Sequence, residues 1–380
     1  MNGLLESLFA ECEESGASDI HLLVGQPPRF RVRGDLVARG EYRAFDSRSV
    51  DAIAMELGLL TLPVGCADGT ERVRLTLLRE GSIDGAVTAP SGTRYRFNLY
   101  RESGRHAVAL RRLDGTFRTF EQLGLPARLK DFCSERDGLV IVTGPTGSGK
   151  STTLATMIDT INGSRDGHII TIEDPIEFIH ASRRSLVHQR QVGRDTTGFN
   201  AALVEALRQD PDVILVGEIR DLETVRTALR AAETGHLVFA TLHAGDCTGA
   251  IERLVSVFPA EEQAGARHQL ALVLRGIFAQ HLLPTADGRG RVPACELLVN
   301  TPAVANLIAT GRPQQIYSML ETGTAVGMRT LDRSLAELCA AGHITEARAL
   351  AFSRTPAALK GRIGHAPLAP AVKVGLESIG

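Results

Sequence analysis

The feature that most constrains the fold of this chain is a glycine-rich loop between an apolar run and a helical pattern. Leu139–Thr143 is a short apolar run, and Gly-Pro-Thr-Gly-Ser-Gly-Lys-Ser follows it at residues 144–151. Gly-x4-Gly-Lys-Ser between a strand and a helix is the spacing of a phosphate-binding loop. Its glycines let successive backbone N–H groups face phosphate oxygens, and the positive end of a helix starting at Ser151 adds to the attraction. A chance glycine-rich turn is the alternative, but it would not require all four fixed positions to be filled.

The loop predicts ATP and Mg²⁺ as ligands. Lys150 would reach the β- and γ-phosphates, and the hydroxyl of Ser151 would ligate Mg²⁺. The predicted nucleotide-binding residues of the loop are Gly144, Pro145, Thr146, Gly147, Ser148, Gly149, Lys150, Ser151 and Thr152.

Hydrolysis needs a carboxylate that orients water beside the phosphates. Glu218 follows the apolar run Val213–Val216, and ligands of open parallel sheets bind at the carboxyl ends of strands. Glu218 is therefore the first candidate, with a solvated loop glutamate as the alternative.

A second acidic cluster, Glu173-Asp174-Pro175-Ile-Glu177, follows another apolar run. Pro175 fixes the backbone direction after it, and one of these acids could bind Mg²⁺ through water or polarise the attacking water. A helix N-cap role for Asp174 is the structural alternative.

The distribution of apolar runs predicts an α/β fold. Four- or five-residue runs made almost entirely of apolar residues are typical of a parallel sheet covered on both faces, and they recur at Ile169–Ile172, Val213–Val216 and Leu237–Thr241. Between them, residues 199–207 have a helical apolar face, and helix-like stretches dominate from about Leu283 to Ala358. We predict a RecA-like P-loop core with a mainly parallel sheet, followed by C-terminal helices.

The N-terminal part has a different pattern, typical of a small α+β (PAS-like) domain. Leu4, Leu5, Leu8 and Cys12 predict an opening helix. Strand-like runs follow at Asp19–Val24, Arg29–Arg33, Val73–Leu78 and Arg94–Leu99. We predict an N-terminal domain at 1–112, a linker at 113–122, a P-loop ATPase domain with C-terminal helices at 123–364 and a loose tail at 365–380.

Composition argues against several classes of protein. A formal net charge of −2, 4% aromatic residues and no Trp in 380 residues disfavour a nucleic-acid motor, which would need a basic channel with stacking aromatic residues. The six cysteines include no Cys-x-x-Cys pair, which disfavours a zinc knuckle and fits reduced thiols. No run predicts a transmembrane helix or a signal peptide, so a cytoplasmic protein is expected.

Several motifs in order resemble one family. They are Ser18-Asp-Ile-His-Leu, Ile172-Glu-Asp-Pro-Ile-Glu-Phe-Ile-His180, the stretch Ala206 to Asp221 with its Asp-Val-Ile-Leu-Val-Gly-Glu core, Thr234-Gly-His-Leu-Val-Phe-Ala-Thr-Leu-His243 and Gly327-Met-Arg-Thr-Leu-Asp332. Over about residues 18–361 the chain resembles the secretion ATPase superfamily that drives type II secretion and type IV pili, and within it the twitching-motility PilT branch. It departs from that branch at Val304-Ala305, where isoleucine and arginine are usual.

The resemblance implies roles for individual residues. Glu218 would be the catalytic Walker B glutamate and would contact Mg²⁺ through water, with Glu173 and Glu177 as Asp-box acids. His243, with His236 as a second candidate, would sense the γ-phosphate or couple neighbouring subunits.

The resemblance also implies that Arg94, Arg96 and Arg111 reach the nucleotide across a closed ring. The sequence supports two of these arginines independently. Tyr95, Phe97 and Leu99 share one strand face, so Arg94 and Arg96 point together from the other. A solvated strand face is the alternative.

At the level of function, the resemblance implies a homohexameric ATPase that powers type IV pilus retraction. It would lie peripherally at the cytoplasmic face of the inner membrane, with an inner-membrane pilus platform protein as partner and no nucleic acid. The alternatives are an export, type II/IV secretion or conjugation ATPase of the same superfamily, and a non-hydrolysing accessory paralogue.

Overall fold

The computed structural model describes residues 3–39, 42–63, 66 and 68–363, so the predicted tail at 365–380 lies outside the described residues. The described residues form two sheets, one before and one after residue 113. The elements of the first part are α1 (Gly3–Glu14), β1 (Asp19–Leu22), β2 (Arg29–Val32), β3 (Asp35–Ala38), α2 (Ser47–Leu59), α3 (Gly69–Arg79), β4 (Ser82–Thr88), β5 (Arg94–Glu102) and β6 (Arg105–Arg112).

The first sheet is antiparallel throughout, with strand order β3-β2-β1-β6-β5-β4. The predicted opening helix is confirmed as α1, whose Leu5, Leu8 and Cys12 are buried together with Phe9. The predicted strand at Val73–Leu78 is wrong, because these residues belong to helix α3. Val73 and Leu77 are buried four residues apart on one helix face, and a run this short fits both helical and strand periodicity.

The second part contains a sheet flanked by helices. Its elements up to the sixth strand of the sheet are α4 (Leu129–Ser134), β7 (Gly138–Thr143), α5 (Lys150–Ser164), β8 (His168–Glu173), β9 (Leu186–Gln191), α6 (Phe199–Ala206), β10 (Val213–Val216), α7 (Leu222–Glu233), β11 (Leu237–Leu242), α8 (Cys247–Ser256), α9 (Gln263–Val273) and β12 (Leu274–Pro284). They are followed by β13 (Arg291–Val299), α10 (Pro302–Ala309), α11 (Ile316–Thr322), α12 (Leu331–Ala340), α13 (Glu346–Phe352) and α14 (Pro356–Ile363).

The predicted mainly parallel sheet is confirmed. Its order is β13-β12-β7-β11-β10-β8-β9, and only the β12–β13 pair is antiparallel. Strands β7, β10 and β11 are buried along their whole length, as strands covered on both faces must be. Their carboxyl ends, together with that of β8, meet at one edge of the sheet.

The prediction that helices dominate after Leu283 is wrong over residues 283–299. Strand β12 continues to Pro284, and β13 pairs with it over nine residue pairs from Gly276↔Val299 to Pro284↔Arg291. Arg291–Val299 is buried except at its first residue, including the carboxyl of Glu296 in its middle. A strand of this kind lacks the polar alternation that identifies an exposed strand.

The C-terminal helices form a separate small core on this hairpin. Leu283, Val292 and Ala294 of the hairpin pack with residues of the helical region, chiefly Leu331, Leu335, Ala336, Ile344, Ala349 and Leu359. The C-terminal helices are thus attached to β12, which is next to β7 in the sheet, and to β13, which is next to β12.

Candidate active site

The predicted phosphate loop connects β7 to α5. Gly144 has φ of +150°, and a Cβ placed there would lie 2.3 Å from the carbonyl oxygen of Gln280, so only glycine fits. Gly149 has φ of +88° and immediately precedes the first helical residue, Lys150. The predicted helix therefore begins one residue earlier than Ser151, within the usual uncertainty of a helix end.

Lys150 lies folded over its own loop. Its Nζ donates hydrogen bonds to the carbonyl oxygens of Gly144 at 2.9 Å and Pro145 at 3.0 Å. Burial lowers the pKa of Lys150, and the nearby carboxylates of Glu218 and Glu177 oppose that shift. The ammonium is therefore held in a partly desolvated site next to acids, with Ser151 exposed beside it at the start of α5.

Glu218 lies two residues beyond the end of β10, as predicted. One carboxylate oxygen is 3.1 Å from Nε2 of His243, and the other accepts a hydrogen bond from Arg220 at 2.5 Å. Burial raises the pKa of Glu218, but the hydrogen bond and charge of Arg220, followed by His243, outweigh it, so the pKa is lowered overall. Glu218 is accordingly ionised and fixed in direction at neutral pH.

Glu173 ends β8 and is held by two donors. The Thr171 hydroxyl donates to its Oε1 at 2.6 Å, and the Gln189 amide donates to the same oxygen at 3.1 Å. Burial raises the pKa of this carboxyl. Residues 174–185 contain no helix, so Asp174 is not an N-cap.

Hydrogen bonds between strand ends fix the acids relative to His243. The Thr241 hydroxyl donates to the carbonyl oxygen of Gly217 at 2.5 Å, and the Gly217 N–H donates to that of Ile172 at 2.7 Å. The backbone next to Glu218 is therefore tied on one side to the strand of His243 and on the other to the strand of Glu173.

The arginines of β5 face the Asp-box segment of the same chain. Arg94 donates twice to the carbonyl oxygen of Ile176, at 3.3 and 3.2 Å, and Arg96 lies 4.0 Å from Glu177. Tyr95 and Phe97, between and beside them, are buried, as the predicted strand face requires. Arg111, on the adjacent strand β6, pairs with Asp19 at 2.8 Å.

His236 does not lie near the phosphate loop. It precedes the first residue of β11, whereas His243 follows the last, so the two are separated by roughly 20 Å at about 3.3 Å per strand residue. Its Nδ1–H donates to the carbonyl oxygen of Ala231 at 2.9 Å, at the end of α7. The sensor role considered for His236 is not supported within one subunit, because the histidine is at the opposite end of the sheet.

One cavity of about 790 Å³ joins these parts and is lined by both halves of the chain. Its lining includes the loop from Thr146 to Thr152, Glu173, Glu177, Glu218, His243, Arg96 and Arg111. That volume falls in the range of about 300–1,000 Å³ typical of small-ligand sites. The hydroxyl of Ser151 and the carboxylate of Glu218 are hard oxygen donors of the kind that Mg²⁺ takes, so these residues fit that ion.

Three contributors to the site were not singled out from the sequence. Arg220 fixes Glu218, Gln189 fixes Glu173, and Gln280 accepts a 2.7 Å hydrogen bond from Thr153 of α5 beneath the loop. Arg220 is two residues after Glu218 in the chain, so the sequence alone could have placed the two side chains close together. The positions of Gln189 and Gln280 depend on strand pairing.

His180 also lines the cavity and gives a pH prediction. Burial, opposed by Asp159 and reinforced by Arg183, lowers its pKa from 6.5 to about 4. The unfolded chain then binds a proton that the folded chain does not, so stability falls as pH drops from 6.5 towards 4. Between pH 7 and 5 this histidine should cost about 2 kcal/mol of unfolding free energy.

The measurement is urea unfolding of wild type and His180→Gln at both pH values. Between pH 7 and pH 5, the free energy of unfolding of the variant should fall by about 2 kcal/mol less than that of wild type, whatever the stability of the variant at pH 7. Equal losses in the two proteins would contradict the prediction.

The chain is similar to known proteins both in sequence and in structure. A family model described as "Type II/IV secretion system protein" matches residues 98–340. The type IV pilus retraction ATPase PilT of Pseudomonas aeruginosa is 43% identical over 352 residues, covering 93% of this chain and 98% of the relative. The type IV pilus ATPase PilU of the same organism is 38% identical over 348 residues, covering 92% and 88%.

The structure leads to the same group of proteins. The crystal structure of the pilus retraction motor PilT with bound ADP superposes with a TM-score of 0.83 at 42% identity, covering 94% of this chain and 98% of that one. The α/β fold with an N-terminal sheet domain and C-terminal helices is therefore shared. Among the described residues, no helix combines the length and the hydropathy needed to cross a membrane.

Proposed function

The chain belongs to the type II/IV secretion system protein family, and from that premise we propose that it hydrolyses ATP to power type IV pilus retraction. The observation that carries the hydrolysis is the Glu218 carboxylate, which shares a cavity with the phosphate loop and is fixed by His243 and Arg220. The retraction function is supported by the PilT relative, which covers nearly the whole chain.

ATP binds through the loop backbone and Lys150. The N–H groups of residues 146–151 face phosphate oxygens, and the side chain of Lys150 exchanges the carbonyls of Gly144 and Pro145 for the β- and γ-phosphates. Ser151 directly, and Glu218 through water, would hold Mg²⁺, which would supply positive charge to the phosphates. The solved PilT motor holds bound ADP, which supports nucleotide binding by this chain.

Glu218 orients the attacking water. Since Arg220 and His243 lower its pKa overall, Glu218 is a hydrogen-bond acceptor that fixes the water and a weak base for its proton. Glu173, whose pKa burial raises, is the acid best suited to hold a proton near the site. His243 contacts Glu218 and directly follows β11. A change at the γ-phosphate that moves Glu218 would therefore also move His243 and the end of β11.

The N-terminal domain contributes positive charge that balances the negative charge of the phosphates. Arg96 and Arg111 line the cavity from the first sheet, and guanidinium groups suit phosphate oxygens. In a homohexamer the same arginines would reach the nucleotide of a neighbouring subunit, and closure of one domain on the other would couple hydrolysis to movement. We place the ring at the cytoplasmic face of the inner membrane, against a pilus platform protein.

Two measurements test this function. The purified protein should release phosphate from ATP only with Mg²⁺ present, and a protein without turnover would refute the hydrolysis. Deletion of the gene should leave cells with excess, non-retracting surface pili, restored by the wild-type gene and not by one encoding Glu218→Gln. Loss of pili or of secretion on deletion would instead favour an assembly or secretion ATPase.

A further inference from the structure

The loop that follows His243 is tethered at four consecutive residues. The Thr143 hydroxyl and Ala244 N–H are 2.9 Å apart, and His281 Nε2 donates to the Gly245 carbonyl oxygen at 2.9 Å. Asp246 forms an ion pair with Arg354, and the Cys247 N–H donates to Glu296 at 2.9 Å. The four partners come from β7, β12, the turn between α13 and α14, and β13, so this short loop is in contact with widely separated parts of the chain.

Asp246 uses its two carboxylate oxygens for different purposes. Oδ1 accepts the Gly249 N–H at 2.6 Å and caps the N-terminus of α8. Oδ2 pairs with the guanidinium of Arg354. The cap is local, whereas the ion pair links residues more than one hundred positions apart and joins the loop to the turn between α13 and α14.

Arg354 is itself held in place. Asp332, only 2% exposed, accepts the Arg354 N–H at 3.3 Å and the hydroxyl of Thr355. Asp332 belongs to α12, so three C-terminal helices converge on this turn. Phe352 at the end of α13 lies edge-to-face with His281, 6.4 Å between ring centroids, which places α13 beside a second tether of the loop.

We propose that Arg354 is a positioning residue, which through Asp246 holds the loop that follows His243. By holding this loop, the C-terminal helices control the contact between His243 and Glu218. The inference rests on the proposed ATP hydrolysis for its effect on rate. Arg354 lies beyond residues 98–340, the part that the family model matches. The residue that positions the loop after His243 therefore belongs to the C-terminal region of this chain. A partner that displaces α13 or α14 would then change turnover without contacting nucleotide.

The test compares Arg354→Gln with a matched control, Arg348→Gln. Arg348 also ties the C-terminal helices to the hairpin, through the carbonyl oxygens of Pro284 and Thr285, but does not contact the His243 loop. Arg354→Gln should lower kcat about tenfold with KM changed less than about twofold, because small misplacement of a catalytic group costs rate. Arg348→Gln should leave kcat at the wild-type value even if its Tm falls equally.

Two further variants separate the ion pair from folding. Asp246→Asn keeps an equally good N-cap and removes only the charge, so it should reproduce the kcat of Arg354→Gln. The double variant should be no slower than either single variant, since both remove the same interaction. Arg354→Lys, which keeps the charge, should recover most of the rate.

Hydrogen exchange of the peptide covering residues 243–249, measured on the ADP-bound full chain, gives a readout that needs no turnover. Exchange should be faster in Arg354→Gln than in wild type and unchanged in Arg348→Gln. Equal exchange in wild type and Arg354→Gln, or equal kcat in Arg354→Gln and Arg348→Gln, would overturn the proposal. A wild-type protein without turnover would refute the proposed function instead, and the exchange result would then decide alone whether Arg354 positions the loop.

Discussion

Glu218→Gln is expected to lower kcat for ATP hydrolysis by roughly 10²–10⁴-fold, the range lost when a positioned acid–base group is removed. Glutamine keeps the size of the side chain but presents only one acceptor oxygen, which cannot serve water, His243 and Arg220 together. Phosphate release under saturating ATP and Mg²⁺ measures the effect.

Nucleotide binding separates this result from misfolding. Removing a negative charge from the phosphate site should leave ATP affinity equal or tighter, because the carboxylate repels the phosphates. Glu223→Gln, an exposed acid of the following helix that lies 3.9 Å from Arg226, is the matched control and should retain wild-type kcat. Turnover of Glu218→Gln within about threefold of wild type would exclude Glu218 as the residue that orients water.

Lys150→Gln should weaken ADP binding about 100-fold, equivalent to about 2.7 kcal/mol, the scale of a lost hydrogen bond to a charged group. Glutamine is one atom shorter than lysine, but its amide keeps N–H donors beside the carbonyl oxygens of Gly144 and Pro145 and carries no charge. The loss therefore measures the positive charge near the phosphates. Calorimetric titration with ADP and Mg²⁺ gives the dissociation constant.

The control for this variant is Lys130→Gln. Lys130 is an exposed lysine that pairs with Glu121 and does not line the cavity, so its replacement should leave ADP affinity unchanged. An ADP dissociation constant for Lys150→Gln equal to that of Lys130→Gln would show that Lys150 does not contact the phosphates.

The carboxyl-end rule for parallel sheets accounts for the part of the site that the sequence predicted. Glu173 is the last residue of its strand, Glu218 and His243 follow theirs, and the structure brings the ends of those strands together. His236 differs from these three residues because it precedes β11 and so lies at the other end of that strand. The domain boundaries at 112 and 122 stay predictions: β6 ends at Arg112 and α4 begins at Leu129.

The two segments whose structure differs from the prediction are segments with an ambiguous short-range pattern. Val73–Leu78 fits both periodicities, and its helix is decided by packing of Val73 and Leu77 against the first sheet. Arg291–Val299 has no polar alternation because β13 is buried, with even Glu296 enclosed and its pKa raised by that burial. In both segments tertiary contacts outweigh local preference.

The sequence by itself determined the phosphate loop, because Gly144 to Ser151 are contiguous and their chemistry depends only on backbone conformation and a following helix. It also determined which face of β5 carries Arg94 and Arg96, since alternation along a strand is local. Only the tertiary structure decided that Arg94 meets Ile176 and that Arg354 meets Asp246. Such contacts join residues that are distant in the chain, and their partners are fixed by how sheets and helices pack, which no local spacing specifies.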